Sequence, residues 1–494
     1  MDQESTPFWT EEQRLRSYSP LKGDIACDVC IVGAGIAGLT TAYLLSKEGK
    51  KVVILDDGLV AGGQTMRTTA HLSNALDARY YDLERLFGAK GAKIAAQSHL
   101  AAINLVASLV KEHAIDCNFE TVEAYLFAAP DKPIDELTKE FHAAKKAGVD
   151  VKMVERCPLL SFETGPAVCF GGQAQFHPLK FIDKLCGQLE LQGVEIYCGT
   201  HVTEIQKNYH VETDQGYSVE AMHVVVATNS FMHSRFFPHL KLAPYRTYVI
   251  AGKIPQGYVP AGLYYDTLDP YHYIRIAKDS FGNTILIIGG EDHRTGEEKH
   301  IHQKYVELEA WARHRFPNLS EVTYRWSGQI LEPVDGLGFI GRAEKELYMV
   351  TGHSGNGMTH GVLGGILIND LIQGRKSPWE ELYNPHRISI KATSDFLEEN
   401  LNTAWQYSDW LASENKTPLN NHCGKVVSEG LGKCAIYKDE HGKEHKMSAV
   451  CPHLKAIVHW NEAEHCWECP AHGSRFNALG EVLQGPANSN LKNI

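Results

Sequence analysis

No stretch of the 494-residue sequence approaches the roughly 20 consecutive apolar residues needed to span a bilayer, and Met1-Asp2-Gln3-Glu4-Ser5 has neither the basic start nor the apolar core of a secretory signal. A soluble, cytoplasmic chain is expected. Basic charge is also short: 48 Lys and Arg stand against 60 Asp and Glu, for a formal net charge of −12. That balance leaves no large phosphate-neutralising surface, so nucleic acid is not an expected partner. Cysteine is sparse and uneven, with 12 in all and none between Cys198 and Cys423, which excludes a disulfide framework. Internal repeats and low-complexity tracts are absent. The 43% apolar and 9% aromatic residues that are present suffice for packed cores, and the length predicts two to four domains.

Two local patterns carry chemistry, one near each end. Near the start, a β-branched run from Cys27 to Val32 breaks into Gly33-Ala34-Gly35-Ile36-Ala37-Gly38 and then into residues of helical apolar spacing, Leu39 to Leu45. A second apolar run, Lys51 to Leu55, closes on Asp56, completing a βαβ unit. Gly33, Gly35 and Gly38 sit where absent side chains let backbone N–H groups and the helix start approach a pyrophosphate. Asp56, 18 positions after Gly38, is placed to accept from a ribose hydroxyl. The motif points to a dinucleotide without separating FAD from NAD. Cys27 and Cys30 lie in the strand before the glycines and read as strand residues rather than a redox pair.

Near the other end, Cys451-Pro452-His453 is followed after 15 residues by Cys469-Pro470-Ala471-His472. This CxH…CxxH spacing suits a Rieske [2Fe–2S] cluster, in which two thiolates hold one iron and two imidazoles the other. Zinc also takes two Cys and two His, but its usual spacing pairs Cys with Cys and His with His. Cys466 reads as a strand residue. Between the two patterns, helical spacing appears at Lys93 to Glu112, Pro133 to Ala147 and Val362 to Ile372, and alternation between about 236 and 325 suggests a mostly antiparallel sheet.

Residues 25 to about 376 resemble the superfamily of D-amino-acid oxidase, glycine oxidase and sarcosine oxidase. The matching pieces are the glycine fingerprint, the segment Gly62-Gly63-Gln64-Thr65-Met66-Arg67-Thr68-Thr69-Ala70-His71, the strand Val224 to Asn229 and the glycine-rich Gly352 to Gly361. The resemblance implies noncovalent FAD, with His71 the one alternative attachment point. It places the cofactor on Gly33, Gly35, Gly38, Asp56, Gly63, Arg67, Thr68 and Thr69, and further along the chain on Val202, Ala227, Thr228, Gly355, Asn356, Gly357 and Met358. A single fingerprint favours FAD over a reductase carrying two dinucleotides. Residues 418–494 resemble a Rieske domain, with ligands Cys451, His453, Cys469 and His472. Respiratory Rieske proteins bridge their loops by a disulfide where this chain has Ala456 and Ala471, and Phe476 lacks the hydroxyl of their tyrosine. Fewer hydrogen bonds to the cluster imply the lower half of the roughly −150 to +300 mV Rieske range.

The implied fold is an α/β FAD-binding Rossmann-like domain interleaved with an α+β antiparallel-sheet substrate domain, plus a small all-β Rieske domain. The flavoenzyme spans 1–376, with FAD-binding parts at about 25–90, 175–235 and 325–376 and substrate-domain parts at about 91–174 and 236–324. A polar connector, 377–417, holds a helix from Thr393 to Trp410, and 418–494 is the Rieske domain. Tyr265, Tyr273, Arg275 and His272 are the candidate catalytic residues, with Tyr271 beside them; Asp266 and Asp269 read as turn residues. Ile330 stands where the flavoenzymes often carry a carboxylate-clamping Arg, a task that Arg275 or Arg246 could take over. The expected function is an FAD-dependent dehydrogenase for an amine or amino-acid-like substrate, passing electrons singly through the cluster to an acceptor protein. An oxygen-using oxidase and a flavin/iron–sulfur relay without small-molecule turnover are the rivals.

Overall fold

A computed structural model of the chain describes residues 6–128, 134–230, 241–298, 300–388, 418–429 and 432–494. The expected helix from Thr393 to Trp410 lies outside them. The β-branched run before the glycines forms Ile25–Val32, the centre of a sheet that pairs in parallel with Val52–Leu55 on one side and Ser218–Asn229 on the other. Glu195–Tyr197 extends one edge; Leu347–Thr351, and then antiparallel Phe339–Arg342, extend the other. Burial on both faces accounts for the unbroken apolar runs in these strands. The helices Ile36–Lys47 and Gly357–Ile372 pack together over this sheet.

The second sheet runs in the order Val322–Pro333, Leu242–Lys253, Thr284–Arg294, Tyr273–Lys278, Leu263–Asp266, Glu120–Phe127, Ala167–Gln175 and His71–Leu72, with Val151–Val154 pairing to the side. Every pairing is antiparallel except that of Leu263–Asp266 with Glu120–Phe127. The strand Val322–Pro333 stays in this sheet to its end, so the crossing back to the nucleotide side comes after Pro333 rather than near 325.

The helix foreseen at Lys93 to Glu112 is longer, Tyr80–Glu112, and Gly88 interrupts it with φ 73° and ψ 172°. By length and composition it is the one helix among the described residues able to cross a membrane. Its Ala92, Ala95, Ala96, His99, Ala102, Ile103 and Val106 recur at helical spacing and are buried, and the face they form packs on Asp135–Ala147 and Gly357–Ile372 as a core helix does.

The C-terminal residues form two small antiparallel sheets: Cys423–Glu429, Gly432–Lys438 and Glu444–Ser448; and His459–Asn461, Cys466–Glu468, Arg475–Asn477 and Val482–Gln484. Cys466 is buried in its strand, with Arg475 Nη2 donating to its sulfur at 3.0 Å. Cys27 and Cys30 are likewise buried strand residues.

Candidate functional site

Gly33 adopts φ +110°, and a Cβ there would stand 2.6 Å from Ala227 O. Gly38 is packed harder still, since its Cβ would lie 1.9 Å from Gly33 O, so strand and helix meet at a distance only glycine allows. The start of Ile36–Lys47 thereby opens onto a cavity of about 880 Å³. Its walls include Gly33, Gly35, Asp56, Gly63, Arg67, Thr68 and Thr69, then Ala227 and Thr228, then Gly355, Asn356, Gly357 and Met358. The shape and this glycine-lined entrance fit a dinucleotide. Asp56 is tied down by Ala34 N at 2.6 Å and Gly58 N at 2.8 Å, and burial pushes its carboxyl up to about 6. Two expected cofactor positions lie off the wall. Gly38 acts through packing, and Val202 is buried in the apolar cluster behind it, leaving the neighbouring His201 on the cavity.

Further along the same cavity, Tyr265 and Tyr273 flank His71, with ring centroids 5.4 and 6.0 Å from it. Tyr273 Oη pairs with Thr247 Oγ1 at 2.7 Å. Burial raises both tyrosines, keeping the phenols neutral, while burial and then the Arg275 charge hold His71 well below the usual imidazole range. His71 Nε2 is buried with no hydrogen-bond partner among the described residues. Ile330 is also on the wall, as is Asp77, which accepts from Tyr271 Oη at 3.3 Å. Glu332, held by Ser354 Oγ at 2.8 Å, and Asp292 lie close behind. Burial first, then the neighbouring carboxylates, pushes Glu332 up to about 8 and Asp292 to about 7. This acidic group has no local sequence signature, because Asp77, Asp292 and Glu332 come from three separate segments.

The other basic candidates are engaged elsewhere. Arg275 is buried and its Nη1 donates to the carbonyls of Thr69, Ala70 and Phe176, at 3.1, 2.8 and 3.2 Å, so it anchors the flavin-side segment from behind. His272 is bracketed by Asp266 at 2.9 Å and Glu291 at 3.3 Å and stacks on Trp311 at 4.0 Å, off the cavity wall. Asp266 organises the following turn, accepting from Leu268 N and His272 N. Arg246 cannot clamp a substrate carboxylate, because its guanidinium grips Glu464 at 2.7 Å and lies 3.3 Å from Glu468.

In the C-terminal module Cys451 and Cys469 share a hydrogen bond, with backbone amides of His453 and Leu454 directed to one sulfur and of Ala471 and His472 to the other. Ser474 also reaches Cys451. The rings of His453 and His472 stand 5.2 Å apart at 85°. Among the described residues no three His, Cys, Asp or Glu converge on a single metal position. A sulfur pair beside an imidazole pair suits two irons better than one zinc. Ala456 and Ala471, which stand at the positions of the respiratory proteins' bridging cysteines, are both buried.

The two regions meet. Ala463, Glu464, Arg475 and the stretch Val482 to Gly485 complete the wall of the flavin-side cavity. Arg246, Glu464, Glu468 and Arg475 form a buried four-charge network across the seam. Gln329 N donates to Gln64 Oε1 at 2.7 Å, and Gln64 Nε2 in turn donates to Gln484 Oε1 at 3.1 Å. Sequence spacing carried no sign of this seam.

Known proteins divide the chain the same way. The pattern of the FAD dependent oxidoreductase family matches residues 28–371, and that of the Rieske [2Fe-2S] domain matches 411–494. A protein described as a putative Rieske 2Fe-2S iron-sulfur protein, YhfW of Bacillus subtilis, is 30% identical over 99% of this chain and 97% of its own. Gamma-glutamylputrescine oxidoreductase of Escherichia coli is 25% identical over 77% of this chain and 92% of its own. Glycine oxidase from Geobacillus kaustophilus superposes with a TM-score of 0.63 at 20% identity, covering 74% of this chain and 99% of that one, a likeness of fold. The chain therefore belongs to the FAD dependent oxidoreductase family, as an enzyme that carries FAD and, in a C-terminal Rieske domain, a [2Fe–2S] cluster.

Proposed function

We propose that the protein is a dehydrogenase for an amine or amino-acid-like substrate, delivering electrons one at a time to an external acceptor protein. The observation that carries this reading is the shared wall: the module with the cluster pattern closes the cavity that opens on the dinucleotide cradle. When bound, FAD would supply hydride acceptance and the cluster one-electron transfer. In this reading Gly33, Gly35 and the helix start receive the pyrophosphate, Asp56 the ribose, and the segments Gly63 to Thr69, Ala227 to Thr228 and Gly355 to Met358 the flavin end. Cys451 and Cys469 hold one iron, His453 and His472 the other.

Tyr265, Tyr273 and His71 orient substrate and exclude water, as neutral groups that do not compete for a positive charge. Ile330 in place of a basic clamp, with Asp77 on the same wall, supports a substrate recognised through its amine rather than through a carboxylate. The named activity of the Escherichia coli relative is consistent with that class.

Anaerobic stopped-flow absorbance of the holoprotein against N-methylated and primary amines tests the reading. An amine should bleach the flavin first, with the cluster following. Rapid peroxide formation unaffected by Cys451→Ser would replace the dehydrogenase with an oxidase. Absence of flavin bleaching by any amine, with cluster reduction by a ferredoxin, would replace it with a relay.

A further inference from the structure

The two ligand-bearing loops are placed differently. The loop of Cys451 and His453 runs on into Leu454 and Lys455, both exposed. The loop of Cys469 and His472 is buried throughout, from Cys466 to Phe476, with Cys469, Ala471 and Phe476 in the core of its own module and Pro470 and Gly473 facing the flavin-side module. Gly473, next to His472, gives its carbonyl to Gln329 Nε2 at 2.8 Å. Gln329 is itself held at its backbone by Gln64 and at its side chain by Gln484.

Two glycines set the closeness of this seat. A Cβ on Gly473 (φ +75°) would stand 2.0 Å from Gln329 Nε2 and 2.7 Å from Pro244 Cβ. Across the seam, a Cβ on Gly296 (φ +79°) would stand 2.9 Å from Pro470 Cα. The Gly296 carbonyl also pairs with His459 Nδ1 at 2.5 Å. Paired modules move relative to one another by default unless their interface is extensive and dry. Here the ligand-bearing loop is enclosed on both sides, and the buried charges of Arg246 and Glu464 close the seam beside it.

We propose that Gln329 is a positioning residue that locks the Cys469–His472 loop onto the flavin-side module, so that electrons pass between flavin and cluster within one chain, at a fixed separation and on the His472 side. The passage would move electrons without group transfer, and the proton that arrives on the flavin with the hydride would leave to solvent as the flavin is reoxidised. Each electron lost by the reduced flavin converts one ferric iron to ferrous, and a one-electron acceptor protein must remove it before the second follows. The half-exposed His453 side, with exposed Leu454 and Lys455 beside it, is left for that acceptor. The proposal rests on the reading that the two cofactors exchange electrons.

Its test needs no substrate. Holoprotein receives an electron from a radiolytic pulse, and flavin and cluster are followed at their separate absorbances. The exchange should be independent of protein concentration and should slow in Gln329→Ala. It should also slow in Gly296→Ala, which wedges the same seam from outside the cavity. Hydrogen–deuterium exchange across residues 469–475 of the holoprotein should rise roughly fivefold in Gln329→Ala, the shift expected from one lost hydrogen bond. A rate proportional to protein concentration, or one unchanged in both variants, overturns the proposal. Failure of every amine to reduce the flavin would sink the dehydrogenase reading and leave this outcome standing.

Discussion

Replacing Arg246 with Met removes the central cation of the inter-module network while keeping most of the side chain's volume. Arg246 is fully buried, and the side chains of Glu464 and Glu468 are 4% and 1% exposed. Burial alone would raise the Glu464 carboxyl, but Arg246, Arg475 and Arg67 outweigh it and bring it down to about 2. Set against its ordinary 4.5, that shift corresponds to about 3 kcal/mol of stabilisation shared among the three guanidiniums. Breaking a buried pair by removing one partner usually costs about 3–5 kcal/mol, because the remaining charge stays out of water. Arg246 supplies only part of that shared stabilisation, so we expect Arg246→Met to lower stability by about 3 kcal/mol, at the low end of the broken-pair range.

Urea unfolding followed by the visible circular dichroism of the cluster should show a lower midpoint at unchanged slope. Glu464→Gln combined with Arg246→Met should cost less than the two changes added, with a coupling of about 1–3 kcal/mol. The depressed carboxyl contributes fully above about pH 4.5, and its contribution disappears as pH falls toward 2. In Arg246→Met the acid loss should still begin near pH 4.5 but be smaller and end at higher pH, since the carboxyl is no longer held as low. A variant within about 0.5 kcal/mol of the parent, the spread of ordinary surface changes, would refute the reasoning.

Three further outcomes follow from single sites. Gly38→Ala drives a Cβ to 1.9 Å from Gly33 O, so FAD affinity should fall roughly tenfold or more, read as flavin lost on gel filtration while cluster absorbance persists. Burial holds Glu332 near 8, so its contribution to stability is present below about pH 4.5 and is lost as pH rises through 8. Wild-type stability should therefore decline by about 2 kcal/mol from this group between pH 6 and 8, a component missing from the calorimetric pH profile of Glu332→Gln. Arg275→Met leaves the carbonyls of Thr69, Ala70 and Phe176 without their donor. It should lower stability by about 2–4 kcal/mol and loosen flavin, with the KM for an amine changing far less than it would on loss of a substrate clamp.

These sites differ in how far they could be read from sequence, and chain separation is the reason. The cradle was legible because Gly33, Gly35, Gly38 and Asp56 act within one βαβ unit, where spacing alone determines which groups meet. The two ligand loops were legible for the same reason, each being a tight local turn. Tyr265 and Tyr273 stand on paired strands only a few residues apart, so their common placement on the cavity also follows from a short-range pattern. Arg246 and Arg275 are isolated polar side chains in apolar strands and His272 stands just before one, and such a pattern says only that a partner exists. Substrate, a carbonyl and a distant carboxylate satisfy a buried cation equally well, and the choice was made by Glu464, 218 residues from Arg246.

The Gln329 seat is illegible for the same reason: 144 residues separate that amide from the Gly473 carbonyl, and a lone Gln has many surface uses. Residues acting over long separations decide what local motifs leave open. Local spacing indicates which cofactors the chain carries, whereas the pairs Arg246–Glu464 and Gln329–Gly473 fix how the two ligand-bearing loops sit against the flavin-side module. In the proposed dehydrogenase, a cluster ligand loop packed behind the cavity wall would give electrons a short route out of the site they enter by, and the half-exposed His453 edge would be the place to look for the acceptor.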